Sequence, residues 1–234
     1  MRRLLPLLLL TAAPLAAQTW QGSVTMTMTS PEMGRDPVTI VMHRRGAKLA
    51  NVMTMTSGPM AGQEVRMLID DGGTQMTMLT PLPEGVMIPP AMTGGKPAKG
   101  MKMVMDIGGD VAEASAETGT VKALGTSQTI AGTKCDDYEV ATRGETMQMC
   151  LAAGLGKFTF VSAAPGGRGA AKVPDWARAL EGKFPLQVRD KAGKFSMTAT
   201  KITPGAPAAS LFEVPEGYAD MSAMMGGMGR RPRN

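Results

Sequence analysis

The chain has 234 residues, long enough to bury a substantial core in one large all-β domain or two small ones. Formal charge is +5, and removing Arg2 and Arg3 with a leader would leave 23 basic against 20 acidic residues, a net +3. That weak balance, without a basic stripe interleaved by aromatics, argues against nucleic-acid binding.

The first 17 residues read as a secretory signal peptide: Arg2 and Arg3 form the positive start, Leu4 to Leu10 the apolar run, and Pro14 to Ala17 a small-residue cleavage site. The run is too short to cross about 30 Å of hydrocarbon, and no later segment is apolar enough, so no transmembrane segment is expected after cleavage. The mature chain is expected to start at Gln18 in the periplasm or outside the cell. No Cys follows the cleavage site to carry a lipid anchor.

Methionine, at 23 residues, takes the place of much of the usual Leu, Ile and Phe. It alternates with polar or small residues in Thr25 to Thr29, Met53 to Thr56, Met76 to Met78, Met101 to Met105 and Met147 to Met149. Side chains on a strand point to opposite faces in turn, so this spelling describes strands with one thioether face and one hydroxyl-bearing face. Expected strands run Gly22 to Thr29, Val38 to Arg44, Lys48 to Thr56, Glu64 to Asp70 and Thr74 to Thr80, separated by turn residues such as Arg45-Gly46 and Asp70 to Gly73. Parity puts Val24, Met26 and Met28 on one side with Val38, Ile40, Met42, Met53, Met55, Val65, Met67, Ile69, Met76 and Met78. A single antiparallel sheet over one core requires such a shared face.

Residues 81–100, rich in proline and glycine, read as a long mobile loop or lid. Met101 to Ile107 alternates again, Asp110 to Glu117 is ambiguous, and Gly119 to Ile130 leads through Ala131-Gly132 into a hairpin that holds both cysteines. If Ala141 to Gly144 form its loop, Cys135 falls directly opposite Cys150 on the same face, close enough for a disulfide. Export favours that bond, and a free redox or metal pair is the alternative. Tyr138, Val140, Met147 and Met149 then point away from the cysteines into the core. Pro174 to Leu180 is the one credible helix. Strands Phe184 to Asp190 and Lys194 to Thr203 follow, and Leu211 to Tyr218 closes a β-rich domain of residues 18–220. Residues 221–234 form a low-complexity Met/Gly/Arg tail expected to be disordered.

The Met/Thr strands, Gly132 to Tyr138, the Trp176 segment, Gly182 to Leu186 and Phe212 to Tyr218 together resemble a bacterial exported family catalogued as a domain of unknown function, number four-four-one-two. The family is in turn similar to the periplasmic lipoprotein carriers LolA and LolB. That likeness implies a mainly β fold, a single curved antiparallel sheet or half-open barrel around an apolar cavity, with one or two short helices.

Chemistry is sparse. His43 is the only histidine, which removes two-histidine zinc sites and hangs any Ser-His-Asp triad on one residue; parity places it on the solvent face beside Arg44 and Arg45. Gly166 to Gly169 lacks the setting of a phosphate loop. Adjacent carboxylates Asp70-Asp71 and Asp136-Asp137 point apart on a strand. A non-catalytic protein without a cofactor is expected. Two binding readings stand beside a structural one in which the methionines simply fill the core. In the first, Met26, Met28, Met42, Met53, Met55, Met67, Met76 and Met78 line a concave face that takes an apolar small molecule or lipid. In the second, Met221, Met224, Met225 and Met228 of the tail capture Cu(I), which soft sulfur ligands suit.

Overall fold

The computed structural model describes residues 20–31, 36–56, 60–69, 75–89, 93, 95–106, 119–142, 145–156, 179–180 and 182–221. The first half contributes β1 (Gly22–Thr29), β2 (Val38–Arg45), β3 (Lys48–Thr54), β4 (Glu64–Ile69), β5 (Gln75–Pro81) and β6 (Gly100–Asp106). The second contributes β7 (Thr120–Ile130), β8 (Thr133–Ala141), β9 (Thr146–Ala153), β10 (Lys183–Asp190), β11 (Ser196–Pro204), a 3-10 helix (Ala209–Phe212) and β12 (Tyr218–Asp220). The expected strands are met to within two residues at most ends. The signal peptide, the Trp176 segment, Asp110 to Glu117 and the tail from residue 222 lie outside the described residues.

Among the described residues, twelve strands join one sheet in the order β12-β6-β5-β4-β3-β2-β1-β11-β10-β9-β8-β7, which does not close into a barrel. The expected mainly β, single-sheet architecture is therefore present. Two meanders, β2 to β6 and β7 to β10, are joined through β1, which pairs with β2 on one side and β11 on the other. Every pair is antiparallel except the last: β12 runs parallel to β6, with Ala219 opposite Met101.

Local chemistry sets these elements. The β7–β8 turn is Ala131-Gly132, with φ of 48° and 79°, the two positive values that a tight two-residue hairpin needs. In β10 the register shifts between Pro185 and Gln187, because proline has no N–H to give the ladder. Asp190 closes the turn into β11 by accepting the Phe195 N–H at 3.0 Å.

The disulfide Cys135–Cys150 is formed, with a Cα–Cα distance of 5.3 Å. Its register differs from the sequence reading. The hairpin closes one residue later, with Ala141 opposite Thr146 and Thr142 donating to the Glu145 carbonyl, so Cys150 faces Asp137 and the cysteines are diagonal neighbours. Their shared face survives because the slip moves the pairing by two residues. Val140 and Met149 are buried in the core, and Tyr138 and Met147 pack against it.

The densest apolar cluster sits between β1 and β8–β11, where Val24, Met26, Val140, Met149, Leu151, Leu186 and Val188 meet Leu180 and the disulfide. Full burial of a side chain such as Met26 contributes about 1.5–3 kcal/mol. A second layer lies on the other side of β2–β6. There Ala50, Val52 and Leu79 are buried beneath the segment 205–218, which straps the back of the sheet on its way from β11 to β12. Arg45 and Arg66 hold the strap, donating to the carbonyls of Pro207 at 3.4 Å and Ser210 at 3.3 Å.

Candidate functional site

Because directly paired residues of adjacent strands share a face, the register converts the methionine spelling into rows across the sheet. One row runs Met26, Ile40, Met53, Val65, and by the alternation of β4 and β5 Thr80 and Met101, paired with each other, share its face. The next runs Val24, Met42, Asn51, Met67, Met78, Met103, and a third runs Arg44, Leu49, Ile69, Met76, Met105. With Met28 opposite Val38, ten methionines from six consecutive strands occupy one face of the sheet.

Of the candidate residues, Met26 and Met76 are buried, at 0% and 3% exposure. Met28, Met42, Met53, Met55, Met67 and Met78 are half-buried; Met55 lies just past β3, its N–H donating to the Gln63 carbonyl. The structure adds Met101, Met103 and Met105, also half-buried, to the same face. Their alternation was visible in the sequence, but their side of the sheet depends on the β5–β6 register across the long connection of residues 82–99.

Arg44 and Asn51 are polar members of this face that sequence reasoning missed. Arg44 was expected on the solvent side with His43; the pleat instead sends it inward beside Met42, where it is 9% exposed. A small cavity of about 20 Å³ lies there, lined by Trp20, Met42, Arg44, Asn51, Leu155 and Phe184, room for about one water. The Arg44 guanidinium packs on Gly156, where a Cβ would come within 2.6 Å, and burial pushes its pKa down.

His43 does lie on the opposite face, as parity requires, but it is half-buried and bonded: Nδ1 lies 2.7 Å from Ser23 Oγ. Burial, followed by the charge of Arg66, holds its pKa below 6.5 against the opposing pull of Glu64. Met221 is half-buried and its N–H bonds to the Lys102 carbonyl; Met224, Met225 and Met228 lie outside the described residues. Among the described residues no three or more His, Cys, Asp or Glu side chains gather as a metal site, and no helix is long and apolar enough to cross a membrane.

The loop after β5 shows apolar groups to water. Val86 is 50% and Met87 89% exposed, beyond a turn in which the Val86 N–H bonds to the Pro83 carbonyl. This loop leaves the sheet at the end where Met53 and Met101 lie.

Among solved structures, two crystal forms of PNGF-II match with TM-scores of 0.49 and 0.46 at 10% identity, covering 89% of this chain. The chain spans only 32% of the length of PNGF-II. MucB in complex with MucA(peri) matches at a TM-score of 0.42 and 15% identity, over 87% of this chain and 57% of that one. A LolA superfamily protein from Nitrosomonas europaea matches at 0.29 and 13% identity, over 83% and 90%. No curated protein matches. The family model for the domain of unknown function DUF4412 matches residues 20–218, and the chain belongs to that family.

Proposed function

We propose that this is an exported, non-catalytic protein that binds an apolar or amphiphilic molecule, lipid-like in character, on its methionine face. The observation that carries the reading is the row Met42, Met67, Met78, Met103 with its neighbours Met53 and Met101. These side chains are half-buried; Met42 packs against the dense cluster at β1 and β8–β11, and Met53, Met67, Met78, Met101 and Met103 extend the face beyond it. Thioethers are flexible and polarizable, so such a surface repacks around varied apolar shapes, where branched side chains would fix one shape. Asn51, half-buried between Met42 and Met67 in the same row, supplies a polar contact on the face. The intramolecular disulfide fits an oxidising compartment, in keeping with the leader at residues 1–17.

Displacement of N-phenyl-1-naphthylamine by palmitate tests the reading. The dye should brighten on adding the protein and dim as palmitate replaces it. A Met67→Gln/Met78→Gln variant, nearly unchanged in volume but polar, should weaken palmitate binding by about tenfold, a loss of roughly 1.4 kcal/mol. Failure of palmitate to displace the dye, or equal affinity in the variant, overturns it.

A further inference from the structure

A second concavity lies on the opposite face of the sheet, between β4, β5 and the strap. Its volume is about 340 Å³, in the range of small-molecule sites. Leu79, Pro81, Pro215 and the Tyr218 ring line it with apolar surface, and Gln63, Glu64 and Arg66 give its polar side.

Three features of that polar side define a ligand. Glu64 and Arg66 are two apart on β4 and point to the same face, about 6.6–6.8 Å from each other along the strand. The two carry opposite charges, yet among the described residues no ion pair joins them; the recorded ion pair is Lys102–Asp220. Arg66 uses Nη1 on the Ser210 carbonyl, which leaves further guanidinium N–H groups to donate. Gln63 Nε2 donates to the Leu82 carbonyl at 3.5 Å. The flipped orientation would set oxygen against oxygen there. Gln63 Oε1 is then buried with no hydrogen-bond partner in the structure, and an orphaned buried acceptor is destabilising until a donor fills it.

A simple anion would meet Glu64, and a simple cation would meet Arg66. A molecule carrying both charges a few ångströms apart satisfies both, and an ammonium also supplies the donor that Gln63 Oε1 lacks. We propose that this cleft binds a free α-amino acid with an apolar side chain. Arg66 takes the carboxylate in a charge-assisted hydrogen bond, Glu64 and Gln63 take the ammonium, and Leu79, Pro81 and Pro215 contact the side chain. This site is independent of the methionine face, because β4 presents Met67 and Arg66 to opposite sides.

The lone histidine provides the readout. His43 feels the charges of both Arg66 and Glu64, and it is the only imidazole in the chain. L-Leucine titrated to about 10 mM should shift the His43 ring proton resonances saturably. N-Acetyl-L-leucine, which lacks the ammonium, and L-leucinamide, which lacks the carboxylate, should each bind at least about tenfold more weakly. Glu64→Gln and Arg66→Gln should each weaken leucine to a similar degree. Glu64 is exposed, so its variant keeps the fold even where loss of the Arg66 contact to the strap loosens it. Met67→Gln/Met78→Gln should leave leucine binding unchanged, which separates this site from the methionine face. No saturable shift, equal binding of the three compounds, or full affinity in Glu64→Gln overturns the proposal.

Discussion

Reducing the Cys135–Cys150 disulfide should destabilise the protein by about 3 kcal/mol. The bond closes a loop with a sequence separation of 15, and the chain-entropy model assigns a closure of that length about 3 kcal/mol at 25 °C. Both cysteines are buried, at 2% and 1% exposure, so the reductant reaches the bond only when the hairpin opens. The comparison is therefore made by unfolding in denaturant with a phosphine reductant, refolding, and melting both forms. Reduction keeps the sulfur atoms and their packing, which a Cys135→Ala/Cys150→Ala variant does not; the variant should lose more, because it also leaves two small voids. For a folded region near 200 residues, 3 kcal/mol corresponds to a fall in Tm of about 6–12 °C. A loss below about 1 kcal/mol would mean that the reduced hairpin already holds its ends together in the unfolded chain, and the entropy argument fails.

Burial should decide what a methionine is worth: Met26→Ala, at 0% exposure, is expected to cost about 2–5 kcal/mol in chemical denaturation. Met87→Ala, at 89%, should stay within about 0.5 kcal/mol, and equal effects would contradict the core assignment. Ala131 adopts φ 48° beside Gly132, a conformation that asparagine tolerates better than alanine, so Ala131→Asn should raise stability by about 0.5–1 kcal/mol in the same assay. His43 is held below its ordinary pKa of 6.5 in the folded state. The unfolded chain therefore binds its proton first, and stability should fall as pH drops below 6.5, levelling off once the folded imidazole also protonates. A pH series of melts should show that component in the native protein and not in His43→Gln; its persistence in the variant would refute the assignment.

The strand faces were legible because a period of two survives in plain spelling: Met26, Met53, Met67 and Met78 share parity within their own strands, whatever the partners. Pairing registers were less legible. A hairpin loop at 141–144 and one at 142–145 read equally well in the sequence and keep both cysteines on one side, and the folded register selects the diagonal bridge. Arg44 was misread because a run of two arginines before a glycine looks like a solvated hairpin rim. The pleat turns one of the two inward regardless of charge, and the arginine stem tolerates that position. Leu211 to Tyr218 was legible as a closing segment, but its course over the sheet and the cleft beneath it left no local signal. Tyr218 to Asp220 is a three-residue strand whose partner lies more than a hundred positions earlier, and Gln63 stands out only through what fails to meet it.

The pairing of β1 with β11 sets the order in which the molecule can be completed. Gly22 meets Pro204, so a ladder near the amino end waits for nearly the entire polypeptide to emerge before it gains its second neighbour. Each meander can assemble from nearby hairpins, while their union depends on a contact of very high sequence separation, the kind that slows folding. Until that seam is sewn, two half-sheets present raw edges, and whatever protects them while the chain folds protects the yield of the finished protein.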